Sequence, residues 1–427
     1  MKGPSISHAW SALRHRNFKL FFMGQSISVM GTWMTRLATA WLVYQLTHSA
    51  LMLGIVGFSG QILSFLLGPF AAVWVERMER RRMLVWTQFG GALQSLALAA
   101  LTLSHVITLW EVIALAGLQG LINAFDMPGR QSFLVQMVED RKDLNNAIAI
   151  NSSMANGARL FGPALAGLVV ARWGEGWCFL LDGVSYFAVI ASLLLMRIRP
   201  LDARVKKASM LEQMREGWDY VRTFVPIRTI LVLFASVSLL GYSYSVLLPI
   251  FAGDVLHGGA HTLGWLTGAS GVGALASGIS LTMRKSSLGL VRSVQVSVMV
   301  LGVSLICFGF SHVLWLSLGL MVMVGFGMLQ TAAASNTIIQ SLVAEDKRAR
   351  VMGYYTMAFF GAAPFGMLLA GTVAEKIGAP HTVMITGTCC LLAAAWFTVK
   401  LPGMMKVLRP IYREMESAAM EDVETAA

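Results

Sequence analysis

The chain has 427 residues, of which 56% are hydrophobic and only 13% charged, with a formal net charge of +11. A soluble domain carries about 25% charged residues because its surface has to be polar, so this composition excludes an ordinary soluble protein. The basic excess does not form one patch but recurs in short clusters between apolar runs, which excludes a nucleic-acid binder.

In chain order, a basic N-terminal segment (1–17) precedes a first apolar span at 18–45 that lacks a small-residue cleavage site, and this span is expected to remain as a membrane helix. Further spans are expected at 50–75, 83–104, 108–131, 147–172, 176–196, 228–252, 262–282, 291–310, 313–338, 351–375 and 380–400. About 20 apolar residues cross ~30 Å of hydrocarbon as a helix, and the runs lack the alternation of a membrane barrel. With a cytoplasmic N-terminus, 29 of the 33 Lys and Arg residues fall in inner segments; only Arg172 and Lys376 fall outside, and Arg36 and Arg159 within spans. That asymmetry sets both termini in the cytoplasm.

A repeat is visible. At a constant offset of 210, Gly31 matches Gly241, Gly54 matches Gly264 and Gly68 matches Gly278; residues 167–174 parallel 371–378 at an offset of 204. The expectation is an all-α membrane protein of twelve transmembrane helices in two pseudo-symmetric six-helix bundles, 18–196 and 228–400. A cytoplasmic linker at 197–227 joins them, and residues 401–427 form a cytoplasmic tail. In the linker, Leu211, Met214, Trp218 and Val221 recur at helical spacing, which predicts an amphipathic helix at the membrane face.

The loop A-V-W-V-E-R-M-E-R-R (72–81) resembles the G-x-x-x-D-R-x-G-R-R signature of the major facilitator superfamily, with Ala72, Glu76 and Glu79 departing from it. The resemblance implies a cytoplasmic latch built from Glu76, Arg77, Arg80, Arg81, Asp126 and Arg130, with Asp126 as the partner of Arg80; a solvated topogenic loop is the alternative. A-R-L-F-G-P-A-L-A-G (158–167) resembles the antiporter motif of the same superfamily. Gly162, Pro163 and Gly167 would allow close helix packing and a bend, and the motif implies export. Gln119 and Gly120 match an R-x-x-Q-G element whose arginine position holds Ala116, which puts that element's proton-coupling role in doubt. D-M-P-G-R (126–130), N-N-A-I-A-I-N (145–151) and R-A-R-V-M-G (348–353) are similar to the enterobactin-exporter-like branch of siderophore and drug exporters.

Charge at bilayer depth costs at least a few kcal/mol, so intramembrane ionisable residues are functional candidates. Arg36 and Asp182 lie at compatible depths and are expected to neutralise each other. Arg159 has no acid at its depth and is a candidate for an anionic substrate group. Gln25, Asn123, Tyr242, Tyr244 and Asn336 are softer substrate or coupling-ion candidates, with Phe359 and Trp33 supplying aromatic area; interhelical hydrogen bonding and core packing compete for each. His257 and His261 have metal-ligand spacing but flank Gly258 and Gly259, so interfacial polar residues are the better reading.

There is no HExxH, GxSxG, CxxC or nucleotide loop. No catalytic residue, metal or cofactor is expected, and the chain is not read as an enzyme. The function expected is a monomeric secondary transporter of the bacterial inner membrane, exporting amphipathic drug- or siderophore-like molecules by alternating access, with protons as the coupling ion and Asp126 or Asp182 as carrier. A lipid or lysophospholipid flippase of the same fold is the open alternative; a membrane-embedded enzyme or a non-transporting sensor stands well behind both.

Overall fold

The computed structural model describes residues 11–138, 140–197, 210–283 and 289–425. All regular structure among them is helical: α1 (Arg16–Thr47), α2 (Ala50–Arg77), α3 (Arg80–Leu103), α4 (Leu109–Met137), α5 (Leu144–Trp173), α6 (Glu175–Leu195), α7 (Met210–Thr223), α8 (Val225–Ser236), α9 (Leu248–Ile250), α10 (Ala260–Thr282), α11 (Leu290–Phe310), α12 (Leu314–Leu342), α13 (Glu345–Ile377) and α14 (Ala379–Thr425). Among the described residues, nine helical segments are long and apolar enough to cross a membrane, and α1, α4 and α10 occupy three further positions where spans were expected. This is an all-α, multi-pass membrane protein. Its apolar exterior fits that medium: Trp110, Trp315 and Val399 are each more than 70% exposed, the two tryptophans lying at helix starts where aromatic residues mark the membrane–water interface.

Local chemistry sets the helix ends. α1 stops at His48, which takes a left-handed conformation (φ 47°), and Ser49 Oγ then accepts from the Met52 amide at 3.3 Å to start α2. α4 opens on a capping box, Glu111 accepting from the Thr108 amide at 2.7 Å. α5 and α13 both end on a glycine in the positive-φ region, Gly174 at 89° and Gly378 at 86°, whose amides close on Val170 and Ala374. These two glycines are the matched ends of the repeat at offset 204.

One expected helix differs. The span read as 228–252 is not a continuous α-helix. After α8 it passes through a π turn at Val237–Gly241, a 3₁₀ stretch at Tyr242–Val246, the single turn α9 and a second π turn at Phe251–Val255. Pro249 contributes to the disruption, since it cannot donate to the ladder. At the chain's other end, α14 does not stop at 400 but continues through Pro402 and Pro410.

The chain divides into two compact units, Met1–Lys206 with Val246–Gly271, and Lys207–Ser245 with Val272–Ala427. In the first, Phe18, Phe21, Phe133, Met137, Leu84 and Leu193 close one end as a dry cluster. A Cβ added to Gly31 of α1 would lie 2.7 Å from the Asp182 carboxyl on α6. In the second, the repeat-matched Gly241 sits against Leu301 and Cys390, on α11 and α14. The amphipathic helix of the linker is α7; Trp218 packs on Tyr354 at 5.8 Å and Glu216 pairs with Arg350, so it docks on α13. The side chains of Leu211 and Met214 lie outside the described residues.

Candidate functional site

The inner-loop signature is organised differently from its expected latch. The side chains of Glu76 and Arg77 lie outside the described residues. Asp126, 6% exposed, accepts from Thr87 Oγ1 at 3.0 Å and from Gln88 Nε2 at 2.7 Å through Oδ1, while Oδ2 takes the Arg130 guanidinium. Arg80 is not its partner. It opens α3, two turns before Thr87, and makes no ion pair among the described residues. Arg130, one turn along from Asp126 on α4, takes the place instead. Arg81 donates to the Leu194 carbonyl at 2.6 Å, tying α3 to the end of α6, and Arg82 pairs with Glu79 at 2.8 Å.

Asp182 is the most enclosed charge-bearing side chain among the described residues, 1% exposed on α6. Its Oδ2 accepts from Thr35 Oγ1 at 2.9 Å and Ser95 Oγ at 2.8 Å, one hydroxyl from α1 and one from α3. Its Oδ1 has no partner and is pressed against Gly31. The expected ion pair with Arg36 is not formed: the carboxylate is met by neutral donors, and the arginine turns elsewhere. A carboxyl bound only by hydroxyls can gain or lose a proton without stranding a cation, a property that Asp126, locked to Arg130, does not share.

Arg36 instead lies over the ring of Trp33, with its guanidinium carbon 4.9 Å from the ring centroid; that of Arg159 lies 5.9 Å from the same ring. The helix-packing residues bring this about. A Cβ on Gly162 would meet the Trp33 Cβ at 2.6 Å, so α5 lies directly against α1 here. On the other side of α5, a Cβ added to Gly167 would lie 2.8–3.1 Å from the backbone of Ala260, His261 and Gly264, and one added to Gly264 would lie 2.7 Å from the Pro163 carbonyl, so α5 and α10 approach closely here. Near the ends of these helices, Tyr44 Oη donates to Asp254 Oδ1 at 2.5 Å.

In the second unit the irregular stretch carries an aromatic stack. Phe234 lies parallel to Tyr355 at 4.7 Å and to Phe359 at 5.5 Å, and Tyr242 meets Phe359 at 5.6 Å. Ser238 Oγ donates to the Phe359 carbonyl at 2.7 Å, which fixes α13 to the π turn. Tyr244 is buried. Asn336 accepts from Gln340 at 2.5 Å and Asn123 from Gln119 at 3.2 Å. Gln25 is 2% exposed with an unpartnered Oε1. Asp182, Arg36 and Arg159 thus cluster in one unit, whereas Tyr242, Asn336 and Phe359 belong to the other. Among the described residues no group of three His, Cys, Asp or Glu is placed to hold a metal.

Sequence reasoning missed the hydroxyls of Thr35 and Ser95, the Tyr44–Asp254 bond, and Gln330, which donates to Ser293 and accepts from Ser277, both at 2.8 Å. Serine and threonine recur in most spans, so no local pattern distinguishes these.

A family model described as "Transmembrane secretion effector" matches residues 7–423. Relatives include the staphyloferrin A transporter of Staphylococcus aureus (26% identical, covering 89% of this chain and 95% of that one). The multidrug efflux pump Tap of Mycolicibacterium fortuitum is 25% identical (91% and 94%), and the macrolide efflux protein A of Streptococcus pyogenes 20% identical (89% and 96%). Among solved structures, a POT family transporter in complex with 5-aminolevulinic acid matches with a TM-score of 0.73 at 12% identity, covering 91% of this chain and 96% of that one. A bacterial homologue of the iron transporter ferroportin matches with 0.67 at 17% identity (90% and 98%).

Proposed function

Since the chain belongs to the transmembrane secretion effector family of the major facilitator superfamily, we propose that this small-molecule transporter is an exporter of amphipathic compounds, driven by proton antiport through alternating access. In this reading it resides in the bacterial inner membrane, with twelve spans in two six-helix bundles and both ends cytoplasmic, which the distribution of Lys and Arg supports.

The observation that carries the proposal is the broken span at Val237–Val255. Irregular backbone at membrane depth survives only where protein buries it or where it lines a cavity, and transporters place their sites at discontinuous helices. Mid-helix 3₁₀ and π turns mark hinges and functional sites. The aromatic stack of Phe234, Tyr355, Phe359 and Tyr242 beside the break offers area for an apolar body. Export is supported by the antiporter-like helix α5 and by relatives named for efflux of macrolides or of several drugs. A siderophore-like cargo is supported by the staphyloferrin A transporter and by the exporter-branch motifs.

Asp182 is assigned the coupling proton. Its neutral donors and unpartnered oxygen suit a group that changes charge during a cycle, whereas protonating Asp126 would leave Arg130 without its anion. The test is uptake into proteoliposomes with an imposed pH gradient, using fluorescent cationic and anionic dyes, a catecholate siderophore and a labelled lysophospholipid. Gradient-driven accumulation that a protonophore abolishes, and that Asp182→Asn uncouples in folded protein, is the expected result. Movement of the lysophospholipid alone would replace export with lipid flipping, and full coupling in Asp182→Asn would remove that residue from the cycle.

A further inference from the structure

We propose that Trp33, Arg36 and Arg159 form a receptor for an amphipathic organic anion, an oxyanion group beside a flat apolar body. The proposal deepens the transport reading by naming the charge of its cargo. Two guanidinium groups converge on one indole ring, at 4.9 and 5.9 Å. Like charges repel, and the arrangement has no anion of its own: neither arginine makes an ion pair among the described residues.

The frame around them supplies none either, since α1, α5 and α10 contain no Asp or Glu. On α6, Asp182 is buried and hydrogen-bonded to the hydroxyls of Thr35 and Ser95 rather than to Arg36. The frame is also closely packed. Gly162 presses on Trp33 from α5, and an added Cβ at Gly271 of α10 would meet the Leu160 Cα at 2.9 Å and the Arg159 carbonyl at 3.3 Å. Trp33 and Arg159 are half-buried while Arg36 is exposed, so the heads are held but open to a ligand. An unpaired charge is costly at membrane depth, and two are retained here against one ring. Guanidinium forks bind carboxylate or phosphate oxygens in pairs, and an indole face takes a flat apolar group.

The test uses the full chain in phosphatidylcholine nanodiscs and two dyes of similar shape and opposite charge, carboxyfluorescein and rhodamine 6G, read by fluorescence polarisation. Carboxyfluorescein is expected to bind the more tightly. Arg36→Gln and Arg159→Gln should each weaken it about 10- to 100-fold, the range of a lost charge-assisted bond, without weakening rhodamine 6G. Arg→Lys at each position guards against misfolding: it keeps the charge, loses the fork, and should weaken carboxyfluorescein less than Gln does. Trp33→Leu should reduce the binding of both dyes. Adding phosphatidylglycerol decides the source of the oxyanion: displacement of the dye assigns it to a lipid headgroup, and no displacement to a soluble anion. Preference for rhodamine 6G, absence of carboxyfluorescein binding to folded protein, or indifference to both glutamines would overturn the proposal. Because the readout is binding, the proposal stands if transport fails, and transport can stand if it falls.

Discussion

The competing partners of Asp126 give different numbers, so substitution decides between them. Breaking a buried ion pair by removing one member costs about 3–5 kcal/mol. Here the Arg130 side chain is 28% exposed and that of Asp126 8%, so water screens part of the stranded charge, and a loss of about 2 kcal/mol is the better expectation for Arg130→Gln. Asp126→Asn should cost as much, because it strands Arg130 while keeping one acceptor for Thr87 or Gln88. For a unit of this size, about 2–4 °C of melting temperature is lost per kcal/mol, so each single change should lower the midpoint by about 4–8 °C. The double change should fall short of the sum by about 1–2 kcal/mol, the signature of a shared contact. Arg80→Gln, at a position with no ion pair among the described residues, should stay within about 0.5 kcal/mol. Thermal unfolding of the five variants (the three singles and the two doubles that carry Asp126→Asn) in one detergent, followed by tryptophan fluorescence, is sufficient. If Arg80→Gln cost as much as Arg130→Gln and coupled to Asp126→Asn, the assignment of Arg130 would be wrong and the latch expected from the loop motif would be right.

Gly264→Ala pushes a methyl to 2.7 Å from the Pro163 carbonyl; overpacking of this kind costs about 1–3 kcal/mol, and the same melting assay should show it while Gly278→Ala, which meets nothing within 4 Å, stays silent. Gln330→Ala deprives Ser277 and Ser293 of their shared partner; interhelical polar bonds in membrane proteins average about 0.6 kcal/mol, so a small loss is expected, and one above about 3 kcal/mol would mean the hub does more than join α10, α11 and α12. Tyr44→Phe removes the bond to Asp254, and deuterium exchange should rise at Phe251–Leu256 and not at α11; unchanged exchange would show that the bond does not hold that stretch.

The spans were legible because each needs a long apolar run, and such runs occur for little else. The interruption at 237–255 was not legible, since the string Val-Ser-Leu-Leu-Gly reads equally well as α or π, and what selects the π turn is α13 packing across it: a Cβ on Gly366 would lie 1.9 Å from the Leu239 carbonyl. The Asp126–Arg130 pair could have been found from its four-residue spacing on one helix; the familiar loop motif drew attention to Arg80 instead. Arg159 was singled out because no acid was expected at its depth, and it makes no ion pair among the described residues. That Arg36 would join it rather than Asp182 depended on Gly162 bringing α5 against Trp33, a three-body arrangement that pairwise depth estimates do not contain.

The two π turns also fix the phase of everything that follows them. Each behaves as one residue inserted into an α-helix, and one residue is about 100° of rotation around the axis. Deleting a single residue from the second turn would regularise the backbone and strengthen its ladder, yet it would swing Asp254 away from Tyr44 and turn Gly253, whose added Cβ would meet the Tyr44 hydroxyl at 2.1 Å, out of the contact it alone can make. The irregularity therefore works as a vernier. At Phe251–Val255 it sets the angle at which Gly253 and Asp254 meet Tyr44, and a straighter, more stable helix there would lose both contacts.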